Sequence, residues 1–292
     1  MKKIILSILV FSIFSCSRPQ NICASFDVNH PSQVIKLPGA LKEISGITTL
    51  SKNKIACVQD EKGTVFVYDI HKDKLKESIA FGKNKDYEAI ANVNDTIYVL
   101  RSNGTIYEID SLESTDENVI SFPTFLSKQN NCEGLCYDRA NNRLLLACKG
   151  RPEKGTAARS SKAVYAFDLA TKQLQKEPVL VINPDEIIEM GRNAEQNNSF
   201  LNSFFGTVKN ENLFEPSEIA IENASGNYFI LSSVGKRLAS FSPDGKLIAV
   251  VNLDPSIFKQ PEGLAFALNG DMIISDEGRN GKANLVIIPK TK

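Results

Sequence analysis

A glutamate followed by a short apolar run recurs along this chain: Glu43-Ile-Ser-Gly-Ile, Glu88-Ala-Ile, Glu133-Gly-Leu, Glu218-Ile-Ala-Ile and Glu262-Gly-Leu. Successive glutamates are separated by 45, 45, 85 and 44 residues. Four short antiparallel strands with their turns occupy about 40–45 residues, which is the period of a propeller blade. No other feature narrows the fold so far. If each glutamate opens the innermost strand of a blade, all of them point toward one axis.

The stretches between the glutamates fit that plan. Second strands read as β-rich runs at 54–58, 96–100, 143–148, 228–231 and 271–274, and third strands at 65–69, 106–110 and 164–168 stop at aspartate. Fourth strands are shorter, at 79–81, 119–122, 179–182 and 248–251, with Gly- and Asn-rich turns between them. The last repeat has room for only three strands before Lys292. Val34-Ile-Lys-Leu37 lies just before Glu43, where a fourth strand belongs, so an N-terminal strand should complete the last blade and remove an open edge. The expectation is an all-β, five-bladed propeller of four-stranded antiparallel blades over residues 34–292.

The 85-residue gap lacks a second glutamate-led strand and reads as one blade with insertions at about 150–162 and 183–215. The second insertion begins with Asn183 and Pro184, a helix-start signal. One insertion follows a second strand and the other follows a fourth strand. Antiparallel order places both on the face where the glutamates begin, the usual arrangement for functional loops on a rigid scaffold.

Glu43, Glu88, Glu133, Glu218 and Glu262 are therefore the candidate metal ligands. Carboxylates about 7 Å apart at an effective dielectric of about 20 repel by roughly 2 kcal/mol per pair. A cation, protonation or backbone N–H donors must offset that cost. Calcium suits an oxygen-only donor set of loose geometry. Further residues expected on the same face are Asp60, Asp86, Lys149, Ser232, Asp276 and Glu277.

Composition narrows the function. Lys+Arg and Asp+Glu both number 34, so no basic field points to nucleic acid. Two histidines and no tryptophan argue against His-rich metal sites and tryptophan platforms. Lys2 and Lys3 precede an apolar run from Ile4 to Phe14 and then Ser15-Cys16. That is the pattern of an export signal over 1–15, too short to span a membrane comfortably. Ile13-Phe14-Ser15-Cys16 resembles a bacterial lipoprotein lipobox. The resemblance implies lipidation of Cys16, a linker over 16–33 and an envelope location tethered to the outer membrane. The other five cysteines cannot all pair internally, and Cys132-x3-Cys136 lacks zinc spacing. Cys132 and Cys148 could meet across a hairpin, but Cys136 and Cys148 sit in apolar strand runs where cysteine is usually a small buried hydrophobe, and no disulfide is expected.

The set of motifs resembles the SdiA-regulated (YjiK-like) family of bacterial β-propellers over about residues 34–289. It rests on Glu-Ile-Ser-Gly-Ile at 43–47, Asp-Tyr-Glu-Ala-Ile at 86–90, Cys-Glu-Gly-Leu-Cys-Tyr-Asp at 132–138 and Gln-Pro-Glu-Gly-Leu-Ala at 260–265. Pro-Ser-Glu-Ile-Ala at 216–220 and Leu-Ser-Ser at 231–233 fit the fourth repeat. The resemblance implies a five-bladed propeller with a calcium site and no established enzymatic activity. The leading expectation is a calcium-binding, membrane-tethered module that recognises an unknown protein or small-molecule ligand. The alternative is a calcium-dependent hydrolase of lactones, esters or phosphoesters, for which His30 and His71 are poorly placed as bases.

Overall fold

The structure is a computed structural model. It describes residues 25–110, 112, 119–152, 160–196 and 213–291. Cys16, Cys23, the export segment, Arg159 and the phenylalanines at 200, 204 and 205 lie outside the described residues.

Strand β1 (Gln33–Lys36) precedes the first complete blade, formed by β2 (Ile44–Ser51), β3 (Lys54–Gln59), β4 (Thr64–Asp69) and β5 (Lys74–Ala80). The second blade is β6 (Tyr87–Val93), β7 (Thr96–Arg101), β8 (Ile106–Ile109) and β9 (Val119–Phe122). In the third, β10 (Cys132–Asp138), β11 (Arg143–Cys148) and β12 (Lys162–Asp168) carry an outer edge split into β13 (Gln173–Leu174) and β14 (Leu180–Ile182). Helix α1 (Pro184–Gln196) then leads to the fourth blade, β15 (Glu218–Ile221), β16 (Tyr228–Ser232), β17 (Arg237–Phe241) and β18 (Leu247–Asn252). Strands β19 (Pro261–Phe266), β20 (Met272–Asp276) and β21 (Asn284–Ile288) form the last blade, and β1 pairs antiparallel with β21 as its fourth strand. The chain is a five-bladed β-propeller closed by its N-terminal strand, as the repeat predicts.

Packing explains why second strands are continuously apolar. Each blade is buried on both faces, because a hydrophobic wedge fills the space between every pair of neighbouring blades. In β11, Leu144, Leu146 and Cys148 enter the wedge shared with the second blade, while Leu145 and Ala147 enter the wedge shared with the fourth. In β3, Ile55 and Cys57 face the last blade, while Ala56 and Val58 face the second. The period of two thus runs through an unbroken apolar sequence. Inner strands β2, β6, β10, β15 and β19 touch in succession and close a ring.

Two local features go beyond the sequence reading. Residues 25–32, expected to be linker, dock on the last wedge: Phe26 and Val28 are buried, and Phe26 stacks edge-on against Phe229. The helix-start signal at Asn183 develops into a full helix, in which Asn183 Oδ1 accepts from the Asp185 amide. Helix α1 packs against β18, and Asn252 donates to the Gly191 carbonyl. Among the described residues no helix is long and apolar enough to cross a membrane.

Candidate functional site: an acidic cavity on the propeller axis

The first residues of the inner strands surround a cavity of about 200 Å³ on the glutamate face. It is lined by six carboxylates, Glu43, Asp60, Glu88, Glu133, Glu262 and Glu277, together with Lys149, Ser45, Ser217 and Gln260. One lysine faces six acids there.

Local backbone geometry decides which glutamates arrive. In the second blade the ladder runs from Tyr87↔Arg101 to Ala89↔Leu100 and skips Glu88. In the third it runs from Cys132↔Cys148 to Gly134↔Ala147 and skips Glu133. In the last it runs from Pro261↔Asp276 to Gly263↔Ser275 and skips Glu262. Each of these glutamates is the extra residue of a β-bulge, a device that re-aims a side chain at a strand end. All three line the cavity.

Glu218 follows a different course. It sits within an unbroken ladder opposite Leu231, and it is not among the cavity-lining residues. Its Oε1 accepts from the Leu135 amide of the neighbouring blade at 2.7 Å and from the Ile219 amide at 3.0 Å, while Oε2 is buried without a hydrogen-bond partner among the described residues. Burial pushes this carboxyl well above the usual carboxylate range, against the pull of those two amides. Its place among the expected metal ligands is therefore revised: it joins two blades.

In the first blade, Ser45 occupies the position equivalent to the bulged glutamates, and the ladder skips Ser45 and Gly46. Glu43 lies two residues earlier and still reaches the cavity. Alignment on glycine, Ser45-Gly46-Ile47 against Glu133-Gly134-Leu135 and Glu262-Gly263-Leu264, would have revealed this shift. Those glycines have a physical role. A Cβ on Gly46 would stand 2.6 Å from Ala89 Cα, and one on Gly134 would stand 2.8 Å from the Ile219 nitrogen. Their absence lets adjacent inner strands approach.

The electrostatics match the crowding. Burial, then Glu133 and Asp86, push Glu88 up to about 9. Burial and Glu133 push Glu262 up to about 8. Glu277 rises to about 7 through burial and its hydrogen bond with Glu43. That partner is held low, first by Lys42 and then by Glu277. Burial also raises Asp60, with Glu43 and Glu61 adding to it, and its Oδ1 has no hydrogen-bond partner among the described residues. Glu133 is raised by burial against the opposing pull of Lys149, whose Nζ stands 3.2 Å from Glu133 Oε1. Asn131 donates to the same oxygen at 2.6 Å. Burial works to lower Lys149, but Glu133 and Glu262 outweigh it and raise it.

The remaining expected residues lie around this cavity without lining it. Asp86 is exposed and accepts from the Ser102 hydroxyl. Ser232 is buried and donates to the Val234 carbonyl. Asp276 is fully buried, and its Oδ1 accepts from the Gln260 amide at 2.6 Å. His30 is exposed beside Asp27, and His71 is also absent from the cavity lining. Among the described residues, no three His, Cys, Asp or Glu side chains are gathered closely enough to hold one metal ion directly. The carboxylates encircle the space rather than converge on a point in it.

No family model and no curated protein matches the chain. Among solved structures it is similar to the glutaminyl cyclase of Myxococcus xanthus, with TM-score 0.55 and 11% identity over 90% of this chain and 97% of the other. It is also similar to a chain of a nidogen/laminin complex, with TM-score 0.51 and 12% identity over 80% and 72%. The WD40 repeats of RRP9 give TM-score 0.51 at 9% identity over 91% and 100%. Identities this low speak for the shared fold alone, and WD40 repeats are propeller blades.

Proposed function

We propose that this protein is a lipid-tethered binding module that holds calcium in the acidic axial cavity and recognises a ligand or partner there. The observation that carries the reading is the set of six carboxylates around one cavity with a single lysine among them. Burial and mutual repulsion raise Glu88, Glu262 and Glu277. A bound cation relieves both effects.

The donor set fits a hard cation. Every candidate donor is oxygen, and Asp60 Oδ1 is buried without a partner among the described residues. Because the carboxylates encircle the cavity without converging, Glu88, Glu133, Glu262 and Asp60 would hold the ion largely through bridging water, with Ser45, Ser217 and Gln260 as further oxygen donors. Bound calcium supplies positive charge and Lewis acidity. Lys149 holds Glu133 in place, and Glu277, hydrogen-bonded to Glu43 and raised to about 7, exchanges its proton near neutral pH. The lipid tether at Cys16 belongs to the same proposal, as does kinship with SdiA-regulated propellers.

Hydrolysis is a second reading, favoured by one observation. Glu277, at about 7, lines the cavity with a carboxyl suited to proton transfer near neutral pH.

The deciding measurement is the thermal midpoint of the domain in excess calcium and in chelator. A ligand at about 100 times its Kd adds roughly 2.7 kcal/mol. A calcium-specific rise that disappears in Glu133→Gln/Glu262→Gln supports the reading. An unchanged midpoint sinks it.

A further inference from the structure

A pair of cysteines immediately precedes Glu133 and Lys149. Cys132 opens β10 and Cys148 closes β11, and the two are direct partners across the ladder. Their Sγ atoms lie 3.4 Å apart, and both residues are fully buried in the wedge between the second and third blades.

The backbone around them is suited to a covalent link. The Lys149 amide donates to the Asn131 carbonyl, which makes 131 and 149 the hydrogen-bonded pair. The Cys132 amide turns outward to the Ser102 carbonyl of the second blade. Cys132 and Cys148 thus form the alternate, non-hydrogen-bonded pair, where facing Cα atoms stand about 4.5 Å apart. That separation falls inside the range of about 4.4–6.8 Å spanned by disulfides. The other described cysteines have no such partner: Cys57 lies in the wedge between the last and first blades, and Cys136 packs against that between the third and fourth.

We propose that Cys132 and Cys148 form a cross-strand disulfide that pins the inner strand of the third blade at the cavity mouth. The oxidant is a small or protein disulfide. One cysteine thiolate attacks it, forming a mixed disulfide and releasing a thiol. The second thiolate then attacks the cysteine sulfur of that mixed disulfide and releases the second thiol. The two cysteines lose two protons and two electrons, and the oxidant's disulfide becomes two thiols. The bond forms while the wedge is still open. Closure of the second and third blades then shields it, because a reductant thiolate cannot reach a fully buried sulfur. The inference is independent of what the cavity binds.

The test uses the full chain, unfolded and reduced, then refolded with glutathione and excess glutathione disulfide. Free thiols are trapped with N-ethylmaleimide in denaturant and the digest is mapped. The expected product is a peptide pair joined through Cys132 and Cys148. The oxidised protein should melt about 5 °C above the reduced one. In Cys132→Ala/Cys148→Ala that difference should vanish. The folded protein should resist dithiothreitol, with reduction about tenfold or more faster once it is unfolded. Alkylation of both Cys132 and Cys148 in the refolded sample, or a link from either to Cys23, Cys57 or Cys136, overturns the proposal. So does a melting difference that persists in the double variant.

Discussion

The third and fourth blades begin with nearly the same local sequence, Cys-Glu-Gly-Leu and Ser-Glu-Ile-Ala, yet they use the glutamate in opposite ways. Glu133 is the extra residue of a bulge and faces a polar cavity beside Lys149. Glu218 stays in the ladder, is fully buried and holds two amides, one from each blade. Register marks the difference. Glu218 pairs with Leu231 as Gly134 pairs with Ala147, so Ser217, one residue earlier, stands at the position of Glu133 and lines the cavity in its place. A carboxylate at a blade start is thus either a cavity acid or an inter-blade brace, and the ladder decides which.

The largest test of that contrast removes the brace. Glu218→Ala leaves two buried amides without an acceptor and opens a void, costing about 4 kcal/mol and lowering Tm by roughly 10 °C. Glu218→Gln keeps an acceptor of the same shape and should cost under about 1 kcal/mol. Equal losses in the two variants, read by thermal melts, would show that Glu218 braces nothing.

Substitutions in the cavity should have the opposite sign. Glu88→Gln or Glu262→Gln relieves repulsion and raises the chelator-state midpoint by an amount on the order of 1–2 kcal/mol each. The Glu133→Gln/Glu262→Gln pair should also abolish the calcium shift of about 2.7 kcal/mol, while Glu218→Gln retains it. A calcium response lost in Glu218→Gln but kept in the cavity pair would reverse the assignment.

A smaller effect probes the close approach itself. Gly134→Ala forces a Cβ against the Ile219 nitrogen and Glu218 backbone, which must move by several tenths of an ångström. The expected cost is about 2 kcal/mol, with a weakened calcium shift. Gly39→Ala meets nothing within 4 Å and serves as the neutral control for both readouts.

The gentlest test is pH. Glu88, Glu262 and Glu277 stand near 9, 8 and 7 in the folded protein, above an ordinary value of 4.5. Between those limits the folded state holds more protons than the unfolded state. The corresponding stability is fully present below about pH 4.5 and is lost as pH rises through 7 to 9. The cation-free Tm should therefore fall steadily from pH 6 to 9. Calcium competes with those protons, so its apparent affinity should rise over the same window. A flat profile in chelator, measured by melts across that range, would contradict the crowding.

Much of the architecture is legible in the residues. The glutamate period gives five blades, residues 34–37 supply the closing strand, and Asn183-Pro184 marks a helix start. The docking of residues 25–32 is not legible, because Phe26 and Val28 among polar neighbours acquire meaning only against Phe229 and Phe266. Glu43, Glu88, Glu133, Glu262, Lys149, Asp60 and Glu277 all reach the cavity, whereas Ser45, Ser217 and Gln260 escape a search for charged ligands. Asp276 shows why chain position alone misleads: one residue before Glu277, it points away to cap Gln260.

Sequence alone determined the repeat, because strand length, turn residues and apolar runs are local properties of the chain. It also determined closure, since the last repeat lacks a strand that the N-terminus contains. Tertiary structure decided which acids share the cavity and which one binds two blades. The register and bulge at each blade start fix which residue faces the axis, and the axis exists only once the ring of inner strands has closed.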